Sequence, residues 1–138
     1  RRFELLTEML LKLLETLGPE NLSQVAEQVG REYGKKLAAE IGDVGDPDYE
    51  EAVHAVARAM TGLGFHINPD IEGQQLVTSH CPFGDTAVDH PDVICSLDRG
   101  LVAGLLGGLS HNIVPVVIPR REPEEECVTQ VPVTITAR

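Results

Sequence analysis

Three cysteines carry the most distinctive chemistry in this sequence. Cys81, Cys95 and Cys127 are separated by 13 and 31 residues. As thiolates they would bind soft metals, including zinc and the iron of iron–sulfur clusters. No two of them have the CxxC spacing that is typical of zinc fingers and ribbons. The spacing alone therefore allows two interpretations, a three-thiolate metal site or three small buried hydrophobic residues.

Two further residues are candidates for a fourth metal ligand. His80 directly precedes Cys81, and Asp98 follows Cys95 by about one helical turn. Each also has a simpler interpretation, since His80 could cap the end of a strand and Asp98 could be a solvated acid near a helix start. The sequence contains no phosphate-binding loop, nucleophile elbow or His-Glu helix pair. We therefore do not expect an enzyme.

Three helices are predicted before the cysteine region. The first is leucine-rich and ends at Gly18, the second follows Pro19 and ends at Gly42, and the third begins after an Asp48 N-cap. Larger apolar residues at helical spacing predict the buried face of the second helix: Leu22, Val25, Val29, Tyr33, Leu37 and Ile41. Gly30 and Gly34 lie inside this helix one turn apart, which close packing against another helix would justify.

Beyond residue 64 the apolar period changes to two, which indicates strands. We predict strands at residues 65–68, 75–80, 112–118 and 127–135, with a fourth helix that begins near Pro91. The prediction is a single α+β domain, with three N-terminal helices followed by a mostly antiparallel four-stranded sheet that one helix interrupts. Residues 1–63 form its helical part and residues 64–138 the sheet with the cysteines. If the fourth helix packs on the sheet, the three cysteines can meet at one corner.

Composition limits the classes of partner and compartment. The chain has 22 acidic and 11 basic residues and a net charge of −11, so it is not expected to bind DNA by itself. No apolar stretch is long enough to span a bilayer, and no membrane partner is expected. Three cysteines without a secretory signal favour reduced thiols and a cytoplasmic location.

The cysteine region resembles the sensor half of bacterial winged-helix regulators of the ArsR or DeoR type. The resemblance rests on HCPF at residues 80–83, Ala87, HPDVIC at residues 90–95, the leucine-rich helix that follows and Cys127 on the last strand. Within that group the segment is most similar to the iron–sulfur repressors of iron–sulfur cluster assembly operons. The resemblance implies that Cys81, Cys95 and Cys127 bind the cluster. It also implies that DNA is contacted through an N-terminal winged helix missing from this sequence.

Three functional hypotheses follow. The first is the sensor domain of a bacterial transcriptional regulator, which binds an iron–sulfur cluster through the three cysteines and forms a homodimer through the leucine-rich first helix. The second keeps this fold but places a structural zinc ion at the cysteines. The third is a small-molecule-binding module in which the cysteines are merely buried.

Overall fold

The computed structural model describes residues 7, 9–11, 14–16, 18, 21–42, 45, 47–109, 113–118 and 126–133. The first helix, α1, is helical at residues 7, 9–11 and 14–16. The other elements are α2 (Leu22–Ile41), α3 (Tyr49–Gly62), β1 (His66–Asp70), β2 (Gln75–His80), α4 (Thr86–Asp89), α5 (Pro91–Gly108), β3 (Val116–Ile118) and β4 (Cys127–Gln130). The predicted α+β class and the four strands are confirmed. The start of the first predicted helix and residues 112 and 134–135 of the predicted strands lie outside the described residues, while Gly18, its predicted end, is not helical.

The four strands form one antiparallel sheet in the order β1-β2-β4-β3. The prediction that one helix interrupts the sheet is wrong, because α4 and α5 both lie between β2 and β3. The short helix α4 has four residues, only about one turn, so it leaves no periodic pattern in the sequence. β4 pairs with both β2 and β3 and therefore lies inside the sheet, which places Cys127 away from its edges.

The helical and sheet halves of the chain share one aliphatic core. Fully buried side chains come from α3, from the sheet and from α5, and they include Val56, Met60, Leu76, Leu105 and Val131. The start of α3 is fixed by the predicted capping box, in which the Asp48 carboxylate accepts a hydrogen bond from the backbone N–H of Glu51 at 2.8 Å. No helix among the described residues is both long and apolar enough to cross a membrane.

Helix α2 packs against α5 through its small residues, and the predicted face is wrong for four of its six residues, since only Leu22 and Leu37 are half-buried against the core. Its buried residues are Ala26, Gly30, Gly34 and Ala38, while the larger Val25, Val29, Tyr33 and Ile41 are exposed. A Cβ atom at Gly30 would overlap the carbonyl oxygen of Leu97, and one at Gly34 would overlap that of Leu101. The contact is reciprocal, since a Cβ at Gly100 or Gly104 would overlap carbonyl oxygens of α2. The two helices therefore touch backbone to backbone, as the glycine spacing predicted.

Candidate metal centre

The three cysteines reach one place from three different elements. Cys81 opens the loop after β2, Cys95 lies in the second turn of α5, and Cys127 is the first residue of β4. Because β4 pairs with β2 in a register that sets Cys127 opposite Thr78, it starts near the end of β2 from which the Cys81 loop leaves. All three cysteines line a single enclosed cavity. The structure therefore brings the three cysteines to the wall of one cavity, and whether they bind a metal ion there stays a prediction.

The cavity is small and has a largely apolar wall. Its volume is about 20 Å³, room for one water-sized occupant. Phe65 and Ile94, both buried, form part of the wall beside the thiols. Donor atoms here are shielded from bulk water, which strengthens electrostatic interactions with any bound cation.

The cysteine side chains are half-buried and none of them is in a disulfide. The Cys127 Sγ donates a hydrogen bond to the backbone carbonyl of Ile118 on β3, with a distance of 3.5 Å. Cys95 also lines a second, open cleft of about 300 Å³ together with Arg99 and Val117. Cys95 is therefore a lining residue of both the enclosed cavity and the open cleft.

Asp98 lines the same cavity as the thiols, which is a condition for its predicted role as a fourth ligand. It lies on the turn of α5 after Cys95 and is only 8% exposed, so it is not the solvated acid of the alternative interpretation. Burial alone raises the pKa of its carboxyl from the ordinary 3.8 to about 7. The Asp98 carboxyl is therefore partly neutral near pH 7. It must lose its proton before it can bind a metal ion.

His80, the other candidate for a fourth ligand, lies elsewhere. It is exposed, does not line the cavity, and its ring lies 5.0 Å from the ring of His66, measured between centroids. The sequence does not predict that His66 lies beside His80. The two histidines are 14 residues apart, and the register of β1 and β2 decides which of their residues face each other. His90 lies at the start of α5, where its Nδ1 is 2.5 Å from the Oε1 of Glu15 in α1.

The described side chains do not by themselves complete a metal-binding geometry. Among the His, Cys, Asp and Glu residues that the structure describes, no three are grouped as ligands of one ion. The donor set of three thiols and one carboxyl nevertheless suits a soft or borderline metal. Comparisons with protein-family models, curated proteins and solved structures found no match to this chain. Any function must therefore be argued from the site itself.

Proposed function

We propose that this chain is the non-enzymatic, effector-sensing domain of a bacterial transcriptional regulator, and that it binds an iron–sulfur cluster through Cys81, Cys95 and Cys127. One observation carries the proposal: the three cysteines, far apart in the sequence, line a single enclosed cavity together with Asp98. If the three cysteines were only small core residues, we would not expect them to line the same cavity as a buried acid. The resemblance of residues 80–95 to the iron–sulfur repressors points to the same site.

The resemblance of the cysteine region, rather than the size of the cavity, favours a cluster over a single ion. A zinc ion holds its sulfur ligands at about 2.3 Å, so its thiolates gather around one point. The three cysteines line one cavity, and the preference for a cluster comes from the resemblance of residues 80–95 to the iron–sulfur repressors. A cluster held by three thiolates leaves a fourth position for Asp98 or an exogenous ligand, and when bound it supplies sensitivity to oxidation and to iron supply.

A structural zinc ion is the second candidate, and one observation favours it. The cavity of about 20 Å³ has the volume of one ion or water molecule, which is smaller than an iron–sulfur cluster. The same volume argues against the small-molecule module, because ligand pockets typically measure about 300–1,000 Å³.

Contacts of α5 connect the cysteine cavity to α1. Cys95 lies on the helix that His90 begins, and His90 contacts Glu15 in α1. A change in the position of α5 on cluster loss would therefore act on α1. We propose that α1 passes this change to a winged helix outside this sequence, in a cytoplasmic homodimer whose contact includes the exposed Leu10 and Leu14.

Anaerobic purification followed by iron, sulfide and zinc analysis tests the proposal. We expect iron and sulfide in stoichiometric amounts with a broad visible absorption, and we expect Cys81→Ser, Cys95→Ser and Cys127→Ser each to remove both. Ser96→Ala is the matched control, because Ser96 neighbours Cys95 but its hydroxyl donates to the carbonyl of Asp92. This variant should retain the cluster.

Other outcomes decide between the candidates. A colourless protein with one equivalent of zinc that the cysteine variants lose would support the zinc site and overturn the cluster. No bound metal under any loading condition, together with unchanged stability of all three cysteine variants, would overturn both the cluster and the zinc site.

A further inference from the structure

The pairing of β1 with β2 changes register at its open end. From Ile67 to Asp70 the strands pair regularly, with Ile67 opposite Thr78 and Asp70 opposite Gln75. Continued by one residue, this register would set His66 opposite Ser79. An irregularity between His66 and Ile67 instead sets His66 opposite His80, so Ser79 is the extra residue of a bulge. The bulge therefore makes a cross-strand pair of histidines.

The two imidazole rings have a separation that suits a shared metal ion. Nitrogen ligands bind a zinc-sized ion at about 2.0–2.1 Å, which puts each ring centre about 3.2 Å from the ion. Two such rings then have centres about 4.5–5.2 Å apart for ligand angles between about 90° and 109°. The centroids of His66 and His80 are 5.0 Å apart and the ring planes are inclined by 47°.

We propose that His66 and His80 form a second, surface binding site for a divalent transition-metal ion such as Ni²⁺, Cu²⁺ or Zn²⁺. Imidazole is a favoured ligand of these ions. Both residues are exposed, so an ion there keeps water in its remaining coordination positions and pays no burial cost. The net charge of −11 attracts cations to the surface. The site is separate from the cysteine cavity and does not depend on what binds there.

Binding at this site acts on the neighbouring loop. His80 is the last residue of β2 and Cys81 follows it directly. An ion shared by His66 and His80 ties the end of β2 to the start of β1, and thereby restrains the residue from which the Cys81 loop leaves. Occupancy of the histidine pair thus stabilises the strand ends beside the cysteines.

The test is a titration of the full chain with Ni²⁺, followed through the histidine ring signals by NMR. We expect the ring signals of His66 and His80 to broaden first, below one equivalent, while that of His54 is unaffected. His66→Gln and His80→Gln should each weaken Ni²⁺ binding at least about tenfold, because each variant holds the ion with one imidazole instead of two. The rise of the melting temperature with Ni²⁺ should disappear in both variants.

His54→Gln is the matched control, because His54 is a half-buried histidine of α3 close to Glu50, with 3.9 Å between Nε2 and Oε1. It should keep the affinity of the wild-type chain. Equal broadening of all histidine signals, or binding that survives both His66→Gln and His80→Gln, would overturn the site. Ni²⁺ binding that only the cysteine variants lose would assign the ion to the thiols and also overturn it.

Discussion

At the scale of single residues, Asp98 is the group whose burial has the largest expected effect. The unfolded chain ionises this carboxyl near pH 3.8 and the folded chain near pH 7. Between these values the folded state binds more protons, so the stability of the metal-free protein should fall as the pH rises from about 4 to 7 and stay reduced above that. Asp98→Asn removes this loss and should raise the free energy of unfolding at pH 8 by up to about 4 kcal/mol, because each pKa unit between the folded and unfolded chain corresponds to about 1.4 kcal/mol.

Urea denaturation of the metal-free chain at several pH values measures this effect. Glu72→Gln is the control, because Glu72 is an exposed acid in the turn between β1 and β2. Its profile should follow that of the wild type. An Asp98→Asn variant with the same slope between pH 4 and 7 as the wild type would show that the carboxyl is ionised in the folded state.

The three cysteines and Asp98 of the candidate site could be predicted from the sequence, but the position of His80 could not. The convergence of three cysteines followed from placing each on a predicted element, and Asp98 followed from helical spacing to Cys95. The position of His80 did not follow, because a one-residue bulge decides which side chains of β1 and β2 face each other. That bulge depends on the packing of the strand ends, which no local pattern records.

At the scale of elements, the contact between α2 and α5 is the one least tolerant of substitution. A Cβ at Gly34 would overlap the Leu101 carbonyl oxygen and lie 2.9 Å from the Leu105 nitrogen, both of them backbone atoms that cannot turn aside. Gly34→Ala should therefore force the helices apart and lower the free energy of unfolding by about 2–3 kcal/mol. Urea denaturation with the slope and midpoint fitted separately measures this loss.

Gly107, in the opposing helix α5, provides the matched substitution. A Cβ there would have no atom within 4 Å, so Gly107→Ala should be neutral or stabilising by up to about 1 kcal/mol. A Gly34→Ala variant that is as stable as Gly107→Ala, or more stable than the wild type, would mean that helix propensity outweighs the contact between α2 and α5 and would contradict this expectation.

The mistaken face of α2 has a physical cause. Apolar periodicity marks a buried face by its large side chains, and Val25, Val29 and Tyr33 follow that pattern. When two helices meet backbone to backbone, the contact is instead made by residues that have little or no side chain. The spacing of Gly30 and Gly34 was the correct signal for the contact face. The helix bounds themselves depend on capping and breaking residues, which is why they were predicted well.

At the scale of the whole molecule, the backbone contact makes α2 and α5 move as one unit. Cys95 and Asp98 lie on α5, so a metal or cluster held at the cavity restrains that helix. Because α5 cannot shift without displacing α2, the restraint should reach α2, which contributes no residue to the cavity. Loading should then slow hydrogen exchange in α2 as well as in α5, with a stabilisation of about 2.7 kcal/mol at a ligand concentration 100-fold above Kd.

Hydrogen exchange with mass spectrometry, on the full chain with and without the loaded site, checks this expectation. Cys95→Ser under the same loading conditions is the control, and it should show no added protection in either helix. If protection on loading is confined to residues 81–95 and 127–130, the site is coupled only to its own loop and strand. In that case α5 bends near Cys95, and the signal would have to leave through the contact of His90 with Glu15.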